Sequence, residues 1–139
     1  MPILEVHLVE GCHTDTQHAE LLAALSRCYA EVLESPLSRV RAFLVLHPPA
    51  RWVTAGEPGV EAPYFTALAL RGRPVEQRHR LLGACTDVIV DVLGVDRQLV
   101  RGRVVQVDPD DWGIAGVPAS AARRTEIEAR ATSDARPAL

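Results

Sequence analysis

The two halves of this chain repeat each other. Leu21-Leu22 recur as Leu81-Leu82, Val32-Leu33 as Val92-Leu93, Arg41 as Arg101 and Trp52 as Trp112, each sixty positions on. Ala55-Gly56-x-Pro58 recurs as Ala115-Gly116-x-Pro118 at the same offset. Ahead of the helix the offset is sixty-one, because the first half has one extra loop residue. Pro2 then falls on Pro63, Gly11 on Gly72 and Cys12 on Arg73. A match of this extent reads as a fused duplication of a unit of about 60 residues. Whatever one half folds into, the other must fold into as well.

Each half reads strand, helix, strand. Ile3, Val6, Leu8 and Val9 stand among polar residues as a strand. His13-Thr14-Asp15-Thr16 offers N-cap residues. Leu21, Leu22, Leu25, Cys28, Tyr29, Val32 and Leu33 then recur at helical spacing until Ser35-Pro36 stops them. Val40, Ala42, Leu44 and Leu46 alternate with Arg41, Phe43, Val45 and His47, a strand expected to be buried on both faces. Trp52 to Gly59 reads as a short hairpin. In the second half Pro63–Leu70 is the strand, Leu81 to Leu93 the helix with Gly94 as its C-cap, and Val100 to Val107 the last strand.

A strand–helix–strand unit with this loop length predicts a right-handed crossover and a parallel pair. Two units predict an α/β (α+β) domain: one four-stranded sheet with two helices on one face. The domain is expected over 1–118, as repeats 1–59 and 62–118. Residues 119–139, rich in Ala, Arg, Ser and Glu without an apolar face, are expected to be a flexible tail, a frayed helix or disordered. The bare sheet face and the sheet edges call for cover by self-association.

Composition narrows the function classes. Apolar residues make up 47% of the chain, enough for a core. A net charge of −3 and a pI near 5.9 provide no basic field for nucleic acid. Cys12, Cys28 and Cys85 lack C-x-x-C spacing and read as reduced thiols of a cytoplasmic chain. No signal peptide and no membrane-spanning apolar run is evident. His7, His13, His18, His47 and His79 show no metal spacing, and neither a phosphate loop nor a Ser-His-Asp pattern is present. No metal and no cofactor is expected.

The chemistry concentrates at Pro2. Loss of Met1 would leave Pro2 with a free secondary amine, a possible general base. Desolvation and nearby cations favour its neutral form, and a base poised near neutral pH suits proton abstraction beside a carbonyl. Pro63 is an internal control, since its nitrogen is an amide. The alternative is that Pro2 is only a terminal residue; retained Met1 would leave it acylated and inert. Arg71 and Arg73 end the third strand two residues apart, on one face. Such a pair can hold a carboxylate and stabilise enolate charge, or can be ordinary solvated charges.

Met1-Pro2-Ile3, Glu10-Gly11, Pro36-Leu37 followed by Arg41, and Trp112-Gly113-Ile114-x-Gly116-Val117-Pro118 together resemble the 4-oxalocrotonate tautomerase family. The resemblance runs from residue 2 to about residue 119. It implies a homotrimer of fused chains in place of a hexamer of short ones. It implies Pro2 as general base and a small carboxylate as substrate. Arg41 and Arg101 match the family's second arginine; Arg39 and Arg103 are weaker candidates nearby. Trp52 and Trp112 stand where the family places an aromatic wall. Arg73 matches the strand-end arginine, where the first half carries Cys12. Arg71-Gly72-Arg73 is also similar to the paired arginines of malonate semialdehyde decarboxylases and cis-3-chloroacrylic acid dehalogenases. Leu37-Ser38-Arg39-Val40 lacks the carboxylate of the decarboxylases, and Cys28 or Tyr29 stands where the dehalogenases carry a histidine. These departures favour keto–enol tautomerisation over hydration or decarboxylation; a decarboxylase- or dehalogenase/hydratase-like enzyme is the alternative within the same superfamily. A non-catalytic, oligomeric binding protein of the same fold is the alternative from another class.

Overall fold

The structure, a computed structural model, describes residues 2–134. The first half contains β1 (Ile3–Val9), α1 (Asp15–Val32), β2 (Arg41–His47) and a hairpin of β3 (Val53–Thr54) with β4 (Glu57–Pro58). The second contains β5 (Tyr64–Leu70), α2 (Val75–Leu93), β6 (Arg101–Val107) and a hairpin of β7 (Gly113–Ile114) with β8 (Val117–Pro118). β1 and β5 bury the same alternate positions. Both hairpins turn on the same dipeptide: Ala55-Gly56 and Ala115-Gly116 all lie at positive φ. Glycine enters that region without steric cost, whereas the two alanines are strained there.

The main sheet runs β2-β1-β5-β6. β1 pairs parallel with β2, and β5 parallel with β6, as each βαβ crossover requires. The halves meet through β1 and β5, which are antiparallel. Ile3 faces Leu68, His7 faces Tyr64, and Glu5 faces Thr66 at the centre of the pseudo-twofold. Pro2 and Pro63 therefore mark opposite ends of the sheet. At each end the start of one central strand meets the finish of the other.

Both helices cover one sheet face. Leu4, Val6, Leu8, Phe65, Ala67 and Ala69 meet Leu21, Leu25, Leu81 and Ile89 in the core. Thr14 starts α1 with a reciprocal capping box to Gln17, and Gly94 ends α2 at φ 68°. Buried Tyr29 donates its hydroxyl to the Leu68 carbonyl at 2.6 Å. Burial holds that phenol well above its usual range. The repeat differs in volume at one place. Phe65 lies against Gly102, where the first half pairs Leu4 with Ala42.

The other sheet face is bare within the chain. β2 was expected to be buried on both faces, yet Phe43 and Leu46 are exposed. The physical reason is position: β2 is an edge strand, and α1 covers only part of its inner face. A polar cluster occupies the middle of the bare face. His7 Nδ1 lies 2.7 Å from His47 Nε2, and His7 Nε2 lies 2.5 Å from Glu5. Tyr64 and Trp52 flank these rings.

The segment from 119 onward, expected as a flexible tail that is a frayed helix or disordered, is helical over most of its length. α3 (Ala119–Ala122) and α4 (Arg124–Asp134) are helical, and Ala119 is fully buried. Glu126 of α4 accepts two hydrogen bonds from Arg39, at 2.9 and 3.0 Å. Charge pairing and one small buried residue anchor this segment, so an apolar-face criterion passes over it. Residues 135–139, also assigned to that tail, lie outside the described residues. No described helix is long and apolar enough to cross a membrane.

Candidate active site

Pro2 is buried at the head of β1. Its carbonyl accepts the backbone N–H of Arg41 at 2.9 Å, which fixes the start of β2 beside it. The finish of β5 and β6 comes to the same end of the sheet, where Arg71 N–H donates to the Val107 carbonyl at 2.9 Å. From β6 the chain turns through Pro109–Asp111 into the β7–β8 hairpin. Ala119 N–H closes that hairpin on the Trp112 carbonyl at 2.8 Å.

The hairpin reaches a cleft of about 390 Å³ at the start of β1 and β2. Ile3, Ser38, Arg39 and Arg41 line it together with Trp112, Gly113, Ile114, Ala115 and Arg123. Three arginines and a tryptophan thus line one space. Arginine forks match carboxylate geometry, so this arrangement suits a small anionic ligand. Glu126 holds the Arg39 guanidinium above its ordinary range by hydrogen bonding, while Arg39 lowers the Glu126 carboxyl in return.

The expected site residues fall into three groups. Arg41 and Trp112 line the cleft together; Pro2 does not line it, but its chain neighbour Ile3 does, and its carbonyl accepts the Arg41 N–H. Arg71 and Arg73 lie at the same end of the sheet but do not line that cleft. Arg71 is exposed and lies 3.5 Å from Asp108. Arg73 lines a second pocket of about 340 Å³ with Glu34, Glu76, Arg80 and Arg130, and donates to the Leu33 carbonyl. Burial, then repulsion from Arg130, lowers the Arg73 guanidinium below its ordinary value. Arg101 and Trp52 belong to the opposite end. Arg101 N–H bonds the Pro63 carbonyl, and its guanidinium folds back onto the Gln98 and Val100 carbonyls. The Trp52 ring stands edge-on to His47, and its indole N–H donates to Thr54.

Arg123 and Glu126 were missed from the sequence because both lie in the segment read as a tail. The signal available was the short spacing from the Trp112-to-Pro118 turn to Arg123. Cys12 is exposed, and burial and nearby Glu61 raise its thiol, which argues against an activated nucleophile.

A duplicated βαβ fold, with a proline heading its first strand and arginines at the neighbouring strand ends, defines a tautomerase-type protein. The chain belongs to the tautomerase family. The family model for tautomerase enzymes matches residues 63–122. A "Probable tautomerase" of Ralstonia nicotianae is 35% identical over 69 residues, which are 50% of this chain and 99% of that protein. The 2-hydroxymuconate tautomerase of Pseudomonas sp. (strain CF600) is 36% identical over 58 residues, which are 42% of this chain and 90% of that protein. Among solved structures, a wild-type fused 4-OT symmetric trimer superposes with a TM-score of 0.81 at 33% identity, covering 86% of this chain and 98% of that one. Pt0534 inactivated by 2-oxo-3-pentynoate gives a TM-score of 0.82 at 25% identity, with the same coverage. A member of the cis-3-chloroacrylic acid dehalogenase family shares the fold, with a TM-score of 0.76 at 17% identity over 94% of this chain and 99% of that one.

Proposed function

We propose that this chain is a cofactor-independent keto–enol tautomerase of a small enol or 2-hydroxydienoate carboxylic acid. The observation that carries the reading is the hydrogen bond from Arg41 to Pro2 beside a cleft bordered by three arginines and Trp112. Once Met1 is removed, the Pro2 amine takes the hydroxyl proton of the enol and returns a proton to carbon. Arg41 and Arg123 hold the substrate carboxylate and the negative charge that develops on the dienolate. Trp112 closes an apolar side, which keeps the amine neutral. Arg71 and Arg73 remain a second set of candidate substrate arginines at the same sheet end; Arg101 and Trp52, the counterparts of Arg41 and Trp112, are candidates at the Pro63 end.

Relatives of the fused type form trimers, and a homotrimer of this chain would cover its bare sheet face. The relatives are named as a probable tautomerase and a 2-hydroxymuconate tautomerase, which favours proton transfer over the decarboxylase and dehalogenase readings. The binding-protein alternative is separated by chemistry at the amine.

2-Oxo-3-pentynoate supplies the test. Its alkyne is conjugated to a ketone, so a neutral amine adds to the alkyne carbon: an N–C bond forms and the amine proton moves to the adjacent carbon. One equivalent of label on the N-terminal peptide, together with loss of enol-acid turnover, supports the reading. Turnover by a chain whose N-terminus is acylated refutes it.

A further inference from the structure

We propose that Glu126 of α4 sets substrate specificity by occupying one of the three cleft arginines, so that the cleft prefers a monocarboxylate to a dicarboxylate. This rests on the cleft being the ligand site proposed above. The Glu126 carboxylate grips Arg39 through both guanidinium nitrogens, Nη1 at 2.9 Å and Nη2 at 3.0 Å. That is the fork geometry by which an arginine reads a ligand carboxylate. Glu126 therefore stands in for a second substrate carboxylate at Arg39.

The remaining arginines follow from the same contacts. Arg41 and Arg123 border the cleft, and neither forms an ion pair among the described residues. Two guanidinium groups suffice for one carboxylate and the enolate oxygen beside it. A second carboxylate would have to share Arg39 with Glu126, and would meet that residue's negative charge. Both side chains of the pair are partly exposed, 31% for Arg39 and 42% for Glu126, so the contact can be contested by a ligand. α4 follows the duplicated unit, whose last strand β8 ends at Pro118. The specificity element is thus an addition to the repeat.

Two unreactive dienoic acids test this directly. Sorbate and trans,trans-muconate share a six-carbon diene; muconate carries a carboxylate where sorbate has a methyl group. Binding of each is measured by calorimetry on the full chain and on Glu126→Gln, which keeps the shape of the side chain but removes its charge. The expected result is a muconate-to-sorbate affinity ratio about tenfold higher in Glu126→Gln, the scale of one charge-assisted hydrogen-bonded contact. Adding Arg39→Ala should return the ratio to its starting value. Sorbate binding in the same preparation checks that the variant is folded. An unchanged ratio, a rise that survives Arg39→Ala, or no binding of either acid to either form overturns the proposal. Binding is read without turnover, so failure of the tautomerase chemistry alone leaves this result distinguishable.

Discussion

Pro2 and Arg41 are joined by one backbone hydrogen bond, Arg41 N–H to the Pro2 carbonyl at 2.9 Å. The proposed base and the proposed anion binder are thereby positioned by main chain, not by their own side chains. Truncating Arg41 should leave Pro2 in place. Arg41→Ala is expected to lower kcat/KM on an enol acid about 100-fold, the scale of losing one donor to a developing oxyanion. Its counterpart Arg101 folds back on the Gln98 and Val100 carbonyls beside an amide nitrogen. Arg101→Ala should therefore cost at least about tenfold less than Arg41→Ala. Equal losses in steady-state kinetics would contradict a single site per chain.

Phe65 and Gly102 predict a packing effect. A Cβ at position 102 would stand 2.1 Å from two ring carbons of Phe65, inside contact distance. Gly102→Ala should destabilise the fold by about 1–3 kcal/mol through overpacking. Adding Phe65→Leu recreates the Leu4 and Ala42 pair of the first half. Part of the loss should then return, as a coupling energy in a double-mutant cycle read by urea denaturation. Strictly additive losses would show that the two positions do not exchange volume.

The Glu126 pair predicts a pH limit for docking of α4. Arg39 lowers the Glu126 carboxyl below its ordinary value of 4.5. A carboxyl depressed in the folded state contributes stability above its unfolded value, and that stability is lost as pH falls through the folded value. The docked α4 should therefore persist at about pH 5 and release only below the ordinary carboxylate range. Amide NMR of Ile127 across an acid titration measures this. In Glu126→Gln the step should vanish; a step retained there would assign it to another group.

Much of this architecture is legible in the sequence because the repeat constrains it twice. The offsets of sixty and sixty-one return in the structure as matching bounds of β1 with β5 and of β2 with β6. Alternation in β1 was clear because α1 and α2 bury one face of it completely. β2 was less clear, since an edge strand can carry Phe43 and Leu46 in the open with no mark of it in the pattern. Of the proposed site, Pro2, Arg41 and Trp112 come from the repeat and the family motifs. Arg123 and Glu126 do not, because α4 is held by ion pairs, and charge pairing across 87 positions leaves no periodic trace.

Assembly gives the next prediction. Phe43 is 43% exposed on the bare sheet face, with Val45 beside it on the same strand face. Apolar residues in such a place call for a partner surface. Sedimentation velocity at micromolar concentration should show three times the 15.1 kDa chain mass. Phe43→Asp should shift the population towards monomer. A stable monomer of the unmodified chain would remove the trimer from the proposal.

The amine itself gives the last. Only the neutral form of Pro2 can accept a proton, so activity must fall as pH drops through the pKa of that amine. An ordinary α-amino group titrates at about 7.7–8.0. Arg41 and Arg123, in the cleft at the head of β1, oppose a further positive charge, and burial acts in the same direction. The acidic limb of kcat/KM should therefore lie below that range. Weakening the cationic field should move the limb upward: Arg123→Gln is expected to raise its midpoint while lowering the rate. Pro2→Ala retains a free but primary and more flexible amine, and should keep part of the activity. A chain that keeps Met1 has an amide there and should have none. Full turnover with Met1 retained, measured on a preparation verified by intact-mass spectrometry, would exclude Pro2 as the base.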